Sequence, residues 1–349
     1  MKLDIAILHH YSMTLNHGGE KIIKSIAINL SKKGHSVSIY SLPFHRRKDN
    51  VPLFPFYYKE CFFKRFVCDV AYFVYVPLLH KVFCTSAPKI AGIHSFITWP
   101  SFSHERMNFP LILYRHGGLA CGAVYFSLLT RNKDLNSFNA IHIPNTVMPS
   151  RINNIPIYAI PNWVNLRIFR PRKIKNDVFT ITFVGSGKWS KGYDIFCEMA
   201  EYLHKVIPKI NFKAIGIQNN KSPSFVETHP FIYCDELLAD IYSSSHILIH
   251  PSRADIFGIT LIESLACGTP VLTSALPSHQ AFLPLSFICF NLHDYISKIL
   301  KIYQAWYQKS GEYELLVNEA KSIASRFDEE KIFPLFEKML IEVANNRSE

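Results

Sequence analysis

The segment SRADIFGITLIESLACGTP, Ser252–Pro270, holds two carboxylates and a helix start in an order that suits a sugar phosphate. The strand before it ends in HPS, and we expect a helix to begin near Gly258. Backbone N–H groups at a helix start are unpaired and partly positive, so they can hold a phosphate. Asp255 lies in the loop, where its other possible role is a helix N-cap. Glu263 lies inside the helix among apolar residues, where a carboxylate is costly without a partner. Carboxylates beside such a helix start can accept hydrogen bonds from sugar hydroxyls.

The elements that must position this segment alternate along the chain. Apolar runs of strand length are followed by segments of helical period, which indicates an α/β protein with parallel sheets. LDIAIL, the helix EKIIKSIAINLSKK and HSVSIYS form a first βαβ unit, and LILY at 111–114 is a further predicted strand. A second series begins at VFTITFVG and includes HILIHPS. The stretch PNWVNLRIFRPRKIKND between them has the composition of a linker.

The composition narrows the class of protein. The chain has 349 residues, of which 48% are hydrophobic and 19% charged, which is typical of globular domains. No apolar run reaches the roughly 20 residues of a spanning helix, and Asp4 interrupts the first apolar run, which argues against a signal peptide. The eight cysteines form no CxxC pair, which argues against a zinc ribbon and for a reducing compartment.

The positive charge is concentrated in the first half. Residues 1–165 carry 18 Lys+Arg against 7 Asp+Glu, whereas residues 166–349 carry 20 of each, so the net +11 belongs to the first half. This asymmetry favours an acidic partner, and simple solubility is the alternative. From Phe54 to Phe83 there are 11 aromatic residues in 30, interleaved with basic ones. This pattern suits an anionic membrane surface or, equally, a helix that faces the core.

The segment DIFGITLIESLACGTPVL resembles the E-x7-E region of retaining glycosyltransferases of family 4. In that family the sequence of this region is usually close to EGFGLVLLEAMACGTPVV. GGEK, GHSVSIYS, AIPNWVNLRIFRP, ITFVGSGKWSKGYDIF and SRFDEEKIFPLFEKML resemble further family motifs in the same order, over nearly the whole chain. The resemblance implies an α/β GT-B fold, in which two Rossmann-like domains face a central cleft. It places an acceptor-side domain at 1–165, a nucleotide-sugar domain at 166–325 and a helix at 326–349 that crosses back to the first domain.

The resemblance also assigns roles. It implies a catalytic set of His116, Asp255 and Lys191, of which Lys191 also holds the donor diphosphate. It implies a donor-binding set of Gly18, Gly19, Lys188, Lys191, Arg253, Gly258, Ile259 and Glu263, and His94 is a weaker candidate at another strand end. Each has a plainer alternative, such as a surface lysine for Lys191, a tight turn for the glycines and a turn histidine for His116.

Three departures from the family pattern affect these roles. Ser186 stands where the family has an arginine, and Lys188 or Arg253 are candidates to replace that cation. Asp255 is one methylene shorter than the usual glutamate, so its reach to the hydroxyl groups of the donor differs. The identity of the donor sugar is therefore not predicted. ALPSHQ stands in place of a GG-x-E stretch, so part of the binding wall differs.

The expected function is a metal-independent, hexosyltransferase-type glycosyl transfer with retention. The donor would be a nucleotide sugar, with no separate cofactor, and no DxD pattern is present to bind a metal. The acceptor would be a glycan or lipid-linked glycan in surface polysaccharide or glycoconjugate assembly. We expect a cytoplasmic protein, peripheral on the inner face of the cell membrane, without a nucleic-acid partner. The alternative is a non-catalytic GT-B binding subunit of a glycan-assembly complex.

Overall fold

The computed structural model describes residues 1–15, 18–44, 56–94, 133–145, 151–152, 154–217 and 222–346. These divide into two compact units. Unit 1 contains the described residues up to Asn162 together with those from Ile332 onward, and unit 2 runs from Trp163 to Lys331. The sequence places its first boundary three residues later than this division.

Unit 1 is built on an eight-stranded sheet in the order β3-β2-β1-β5-β7-β8-β10-β9. All neighbours in it are parallel except β9 and β10. Its strands are β1 Asp4–His9, β2 Ser36–Ser41, β3 Tyr57–Glu60, β5 Val70–Val74, β7 Lys89–Gly92, β8 Ala140–Ile143, β9 Arg151–Ile152 and β10 Ile155–Ala159. A small pair, β4 Lys64–Arg65 and β6 Phe83–Cys84, lies beside helix α2, Leu79–Val82.

The first βαβ unit is confirmed. Helix α1, Gly18–Lys32, buries the isoleucines and the leucine whose helical spacing predicted it, and it begins two residues earlier than expected. Gly34 ends the connection with φ +87°, a left-handed conformation that favours glycine. The helix formed by the end of the chain, Glu329–Asn345, packs its apolar face within unit 1 from Ile332 onward. The predicted strand at 111–114 lies outside the described residues.

Unit 2 is built on a six-stranded, wholly parallel sheet in the order β13-β12-β11-β14-β15-β16. Its strands are β11 Phe179–Val184, β12 Ile210–Ile215, β13 Val226–His229, β14 Ile247–His250, β15 Val271–Ser274 and β16 Ile288–Cys289. Its helices are α3 Tyr193–Val206, α4 Asp235–Ser244, α5 Ile259–Ala266, α6 Pro277–Gln280, α7 Leu292–Gln308 and α8 Glu312–Ala324, and the helix Glu329–Asn345 is α9. All six residues of β11 are buried, as expected for a central parallel strand with helices on both faces.

The aromatic segment is not a long helix. Between Phe56 and Phe83 the described chain forms short strands and the four-residue α2, so the alternative of a core-facing helix is wrong. Part of the segment supplies the buried strand β5, and Phe62, Phe63 and Val67 are left exposed. None of the described helices combines the length and the apolarity that crossing a bilayer requires.

Four buried imidazoles predict that the fold is acid-labile. Burial lowers the pKa of His10, His246 and His279 to about 3 and that of His142 to about 4. Below about pH 6.5 the unfolded chain therefore binds protons that the folded chain does not bind. The contribution of these rings to the free energy of unfolding is fully present above that pH and decreases as pH falls. At pH 5 each ring lowers the free energy of unfolding by about 2 kcal/mol, at about 1.36 kcal/mol for each pH unit below 6.5.

We expect Tm to fall steeply between pH 6.5 and 5, before ordinary carboxylates titrate, in thermal melts checked for recovery at pH 7. A Tm that stays constant over this range would contradict the buried, neutral state of these rings.

Candidate functional site

The candidate site lies at the point where the strand order of unit 2 reverses. The order β13-β12-β11-β14-β15-β16 is the doubly wound order 3-2-1-4-5-6, in which the first and fourth strands are neighbours. Loops leave β11 and β14 in opposite directions there, and ligands of such sheets bind outside the carboxyl ends of these strands. The loop after β11 carries Lys191, and the loop after β14 carries Asp255.

The two loops bring Lys191 and Asp255 into contact. Lys191 Nζ lies 2.9 Å from Asp255 Oδ2. A single 3-10 turn, Trp189–Lys191, places the lysine, and Gly192 follows it with φ +71°. Burial opposes ionisation of Asp255, but the Lys191 ammonium and the His250 imidazole outweigh it and hold the pKa of Asp255 well below its usual range. The site therefore presents a fixed ammonium and a permanent carboxylate side by side.

Two histidines that the sequence analysis did not single out complete this cluster. His250, the last residue of β14, donates from Nε2 to Asp255 Oδ2 at 3.1 Å, and its Nδ1 accepts from the Thr260 hydroxyl at 3.3 Å. The Thr273 hydroxyl donates to the His250 carbonyl, so it accepts from His279 Nδ1–H at 2.8 Å. This leaves His279 Nε2 unprotonated, and it has no hydrogen-bond partner among the described residues. Burial lowers the pKa of both rings.

The helix start after Asp255 is open to a ligand. Gly258 precedes α5 with φ +86°, and no side chain of the described residues caps the helix. A Cβ at Gly258 would lie 2.7 Å from Leu261 Cδ1, so glycine is needed for both conformation and space. The first N–H groups of α5, beginning at Ile259, are thus available to an anion.

Glu263 has the partner that its buried position requires. Its side chain is buried, and Oε2 accepts a hydrogen bond from Tyr242 Oη at 3.2 Å. Burial, and then the Glu263 charge, raise the pKa of Tyr242 well above its ordinary value, so the phenol keeps the proton that it donates. Tyr242 comes from α4 and was not identified from the sequence.

Arg253 is committed to other partners in this structure. Its guanidinium holds the Asp194 carboxylate through two hydrogen bonds of 2.7 Å and lies 4.4 Å from the centroid of the Trp189 ring. It thus braces the turn that carries Lys191. Lys188 is exposed on the same loop, and both it and Arg253 stay candidates for the cation that is absent at Ser186.

Three of the predicted residues do not belong to the described part of unit 2. Gly18 and Gly19 are the first two residues of α1 in unit 1, and apart from their neighbours in the same helix no atom of the described residues lies within 4 Å of where their Cβ atoms would be. His116 lies outside the described residues. Unit 2 alone therefore brings together Lys191 and Asp255, with Gly258 and Glu263 on the adjoining helix.

Among the described residues, one cluster contains three side chains of metal-ligating type close together. One ligand atom each from His250, Asp255 and His279 can be chosen so that all lie within 4.8 Å of one another. Two imidazoles and a carboxylate are a donor set for a transition metal. In the present arrangement, however, the His250 nitrogen that faces Asp255 carries a proton, and the Lys191 ammonium occupies the cationic position beside the same carboxylate.

Part of this chain is similar to a known protein family. Residues 165–282 match the family model described as Glycosyl transferases group 1. A curated relative, the gpi3 subunit of phosphatidylinositol N-acetylglucosaminyltransferase from Schizosaccharomyces pombe, is 26% identical over 156 residues, which are 39% of this chain. The match spans about a third, 34%, of that relative's length.

Solved structures agree over nearly the whole chain. Sucrose-phosphate synthase from Thermosynechococcus elongatus has a TM-score of 0.72 at 13% identity and covers 98% of this chain and 100% of its own. Anabaena Alr3699/HepE in complex with UDP and glucose has a TM-score of 0.72 at 12% identity, covering 97% and 99%. At these identities the likeness shows the fold, which is GT-B with two Rossmann-like domains. Residues 165–282 of this chain are therefore similar to the glycosyl transferases group 1 family, and the chain has the GT-B fold.

Proposed function

We propose that this protein transfers a sugar from a nucleotide-sugar donor to a hydroxyl group of a glycan or lipid-linked glycan, with retention. The observation that carries the proposal is the Lys191–Asp255 pair at the switch point of the unit 2 sheet, beside the uncapped start of α5. A departing nucleoside diphosphate gains negative charge in the transition state. A fixed ammonium and oriented N–H groups stabilise that charge more than they stabilise the bound donor.

The carboxylates take the hydroxyl groups of the donor. Asp255, ionised because of Lys191 and His250, accepts hydrogen bonds from the sugar, and Glu263, held by Tyr242, accepts them from the ribose. No nucleophile is assigned to this chain. Retention would follow if the leaving phosphate assisted deprotonation of the acceptor hydroxyl on the same face of the sugar.

The proposed reaction uses neither a metal ion nor a resident cofactor. Lys191 supplies the positive charge that a divalent cation would otherwise supply at the diphosphate. Turnover should therefore persist in EDTA, and its loss on chelation with rescue by one divalent cation would assign the His250–Asp255–His279 cluster a metal instead.

The names of similar proteins support the substrate classes. One structural neighbour is described with UDP and glucose bound, and the curated relative is named for transfer to phosphatidylinositol, a lipid. The test is release of nucleoside diphosphate from a panel of UDP-, GDP- and ADP-linked hexoses, with and without glycan and lipid acceptors. We expect one donor to turn over, at least slowly to water, and no release from any donor would contradict the proposal.

The curated relative is named as a subunit, which keeps the binding-subunit alternative open. Transfer and hydrolysis assays on Lys191→Ala and Glu263→Ala separate the two, because a binding subunit has no activity to lose. Measurable wild-type turnover that both substitutions reduce would exclude the alternative.

A basic, aromatic surface of unit 1 supports a peripheral membrane location. Phe62, Phe63 and Val67 are 53%, 79% and 90% exposed, and Arg65 is exposed between them. Phe63 also has φ +48°, a costly conformation for a bulky residue that is more common at functional positions. Exposed aromatic rings beside cations suit the headgroup region of an anionic bilayer.

We expect the wild-type protein to float with vesicles that contain an anionic phospholipid at low salt and to dissociate from them at high salt. The double substitution Phe62→Ser/Phe63→Ser should weaken this binding about tenfold or more, since each buried aromatic ring contributes about 1.5–3 kcal/mol. Leu315→Ser, at a 69% exposed position of unit 2, is the control and should bind as the wild type does. Absence of flotation at low salt would rule out the membrane location.

A further inference from the structure

The side chains of Tyr72, His94 and His142 are linked by hydrogen bonds across adjacent strands of unit 1, and we call these three residues the relay. Tyr72 lies on β5 and His142 on β8, and His94 follows β7 between them by two residues. Tyr72 Oη lies 2.7 Å from His94 Nε2 and 2.6 Å from His142 Nδ1. His142 Nε2 lies 2.9 Å from the carbonyl oxygen of Ile160. Tyr72 and His142 are essentially inaccessible to solvent.

The Ile160 carbonyl fixes the direction of every hydrogen bond in the relay. A carbonyl only accepts, so His142 carries its proton on Nε2 and accepts at Nδ1. Tyr72 must then donate its one proton to His142, and its oxygen accepts from His94 Nε2–H. Burial lowers the pKa of both histidines and raises that of Tyr72, so the rings stay neutral. His94 is therefore left with an unprotonated Nδ1.

A glycine in the sheet leaves the space that the relay occupies. Gly92 lies in register between Val74 and His142, and a Cβ there would come within 2.1 Å of Tyr72 Oη. Phe336 from α9 packs edge-on against the rings of Tyr72 and His142, with both ring centroids at 5.2 Å. The relay is thus held from two sides, and His94 stands at the carboxyl end of its strand, the edge where α/β sheets bind ligands.

We propose that Tyr72 and His142 are positioning residues that lock His94 in its Nε2–H form, so that Nδ1 accepts a hydrogen bond from the attacking hydroxyl when the acceptor binds. During transfer that hydroxyl turns its proton to the departing diphosphate as its oxygen forms the new bond to the sugar. Resting on the proposed function, this assigns unit 1 a specific acceptor contact. At metal-binding histidines, partners that fix the tautomer change activity by about 10- to 100-fold, and we expect an effect of the same order here.

The first test reads the tautomer without any substrate. Long-range proton–nitrogen NMR of the full-length protein with labelled histidine should show His94 with Nδ1 unprotonated in the wild type. In Tyr72→Phe, where the acceptor for Nε2–H is gone, the two ring nitrogens should no longer be fixed in this form. A wild-type His94 with its proton on Nδ1 would overturn the proposal.

The second test uses hydrolysis of the donor, in which water takes the place of the acceptor. Tyr72→Phe should lower kcat about 10- to 100-fold with donor KM unchanged, and Tyr75→Phe is the control, since the buried Tyr75 hydroxyl takes no part in the relay. Equal turnover of the two variants would overturn the proposal while leaving the proposed function intact. Absence of turnover in the wild type would overturn the proposed function and the hydroxyl contact with it.

Discussion

Lys191→Ala is expected to reduce sugar transfer or donor hydrolysis by about 10²–10³-fold, the usual cost of removing one group that stabilises transition-state charge. The Lys191 ammonium makes one hydrogen bond among the described residues, to Asp255, so its other N–H bonds can reach phosphate oxygens. The substitution removes this cation and leaves the Asp255 carboxylate with hydrogen bonds from His250 and from the Phe257 N–H. The pKa of Asp255 should then rise, because its main source of positive charge is gone.

The matched control is Lys213→Ala, which removes a lysine of the same unit that is paired with Glu227 at 3.4 Å. It should retain wild-type kinetics. Steady-state release of nucleoside diphosphate measures both variants, and circular dichroism checks their folding. If Lys191→Ala kept its activity within twofold of Lys213→Ala, Lys191 would not hold the diphosphate.

Gly192→Ala is expected to be among the most destabilising substitutions in unit 2, by about 3 kcal/mol or more. A Cβ at this position would lie 1.9 Å from the carbonyl oxygen of Pro251, which is backbone and cannot rotate away. The residue also has φ +71°, which an alanine adopts only at a cost. Urea unfolding at pH 7 measures the loss of free energy.

Two other glycines separate the causes. Gly187→Ala, in the same loop, would place its Cβ in ordinary contact at 3.6 Å from Ile217 Cδ1, so it should change stability by less than about 1 kcal/mol. Gly311→Ala has φ +81° but open space, so it reports the backbone cost alone. A Gly192→Ala protein as stable as Gly187→Ala would contradict the close packing of the two loops at the site.

The architecture of unit 2 could be predicted because its strands and helices differ sharply in hydrophobic period. The run VFTITFVG and the segment ending in HPS are β11 and β14, and the helix start near Gly258 is where α5 begins. Strand order is not contained in local pattern, however. The adjacency of β11 and β14, which brings Lys191 to Asp255, depends on long-range pairing that a single sequence does not reveal.

The partners of the site residues were the part that the sequence left out. His250 and His279 belong to a strand end and to the unusual ALPSHQ stretch, and only the fold brings them to Asp255. Position on the carboxyl end of a strand was the available signal for His250. For Arg253 the sequence offered a role at the diphosphate, whereas the structure pairs it with Asp194, a partner 59 residues away. The roles of all the predicted site residues stay predictions, namely those of Gly18, Gly19, His116, Lys188, Lys191, Arg253, Asp255, Gly258, Ile259 and Glu263.

The most direct measurement of the central claim is calorimetric titration of the full-length protein with nucleoside diphosphates, repeated with Glu263→Gln and with the 2′,3′-dideoxy form of the tightest ligand. If Glu263 holds the ribose and Lys191 the diphosphate, one nucleotide binds, and losing either the carboxylate charge or the ribose hydroxyls weakens binding about 10-fold or more. Combining the two changes should then cost little more than either alone. Binding of no nucleotide, or fully additive losses, would contradict the account.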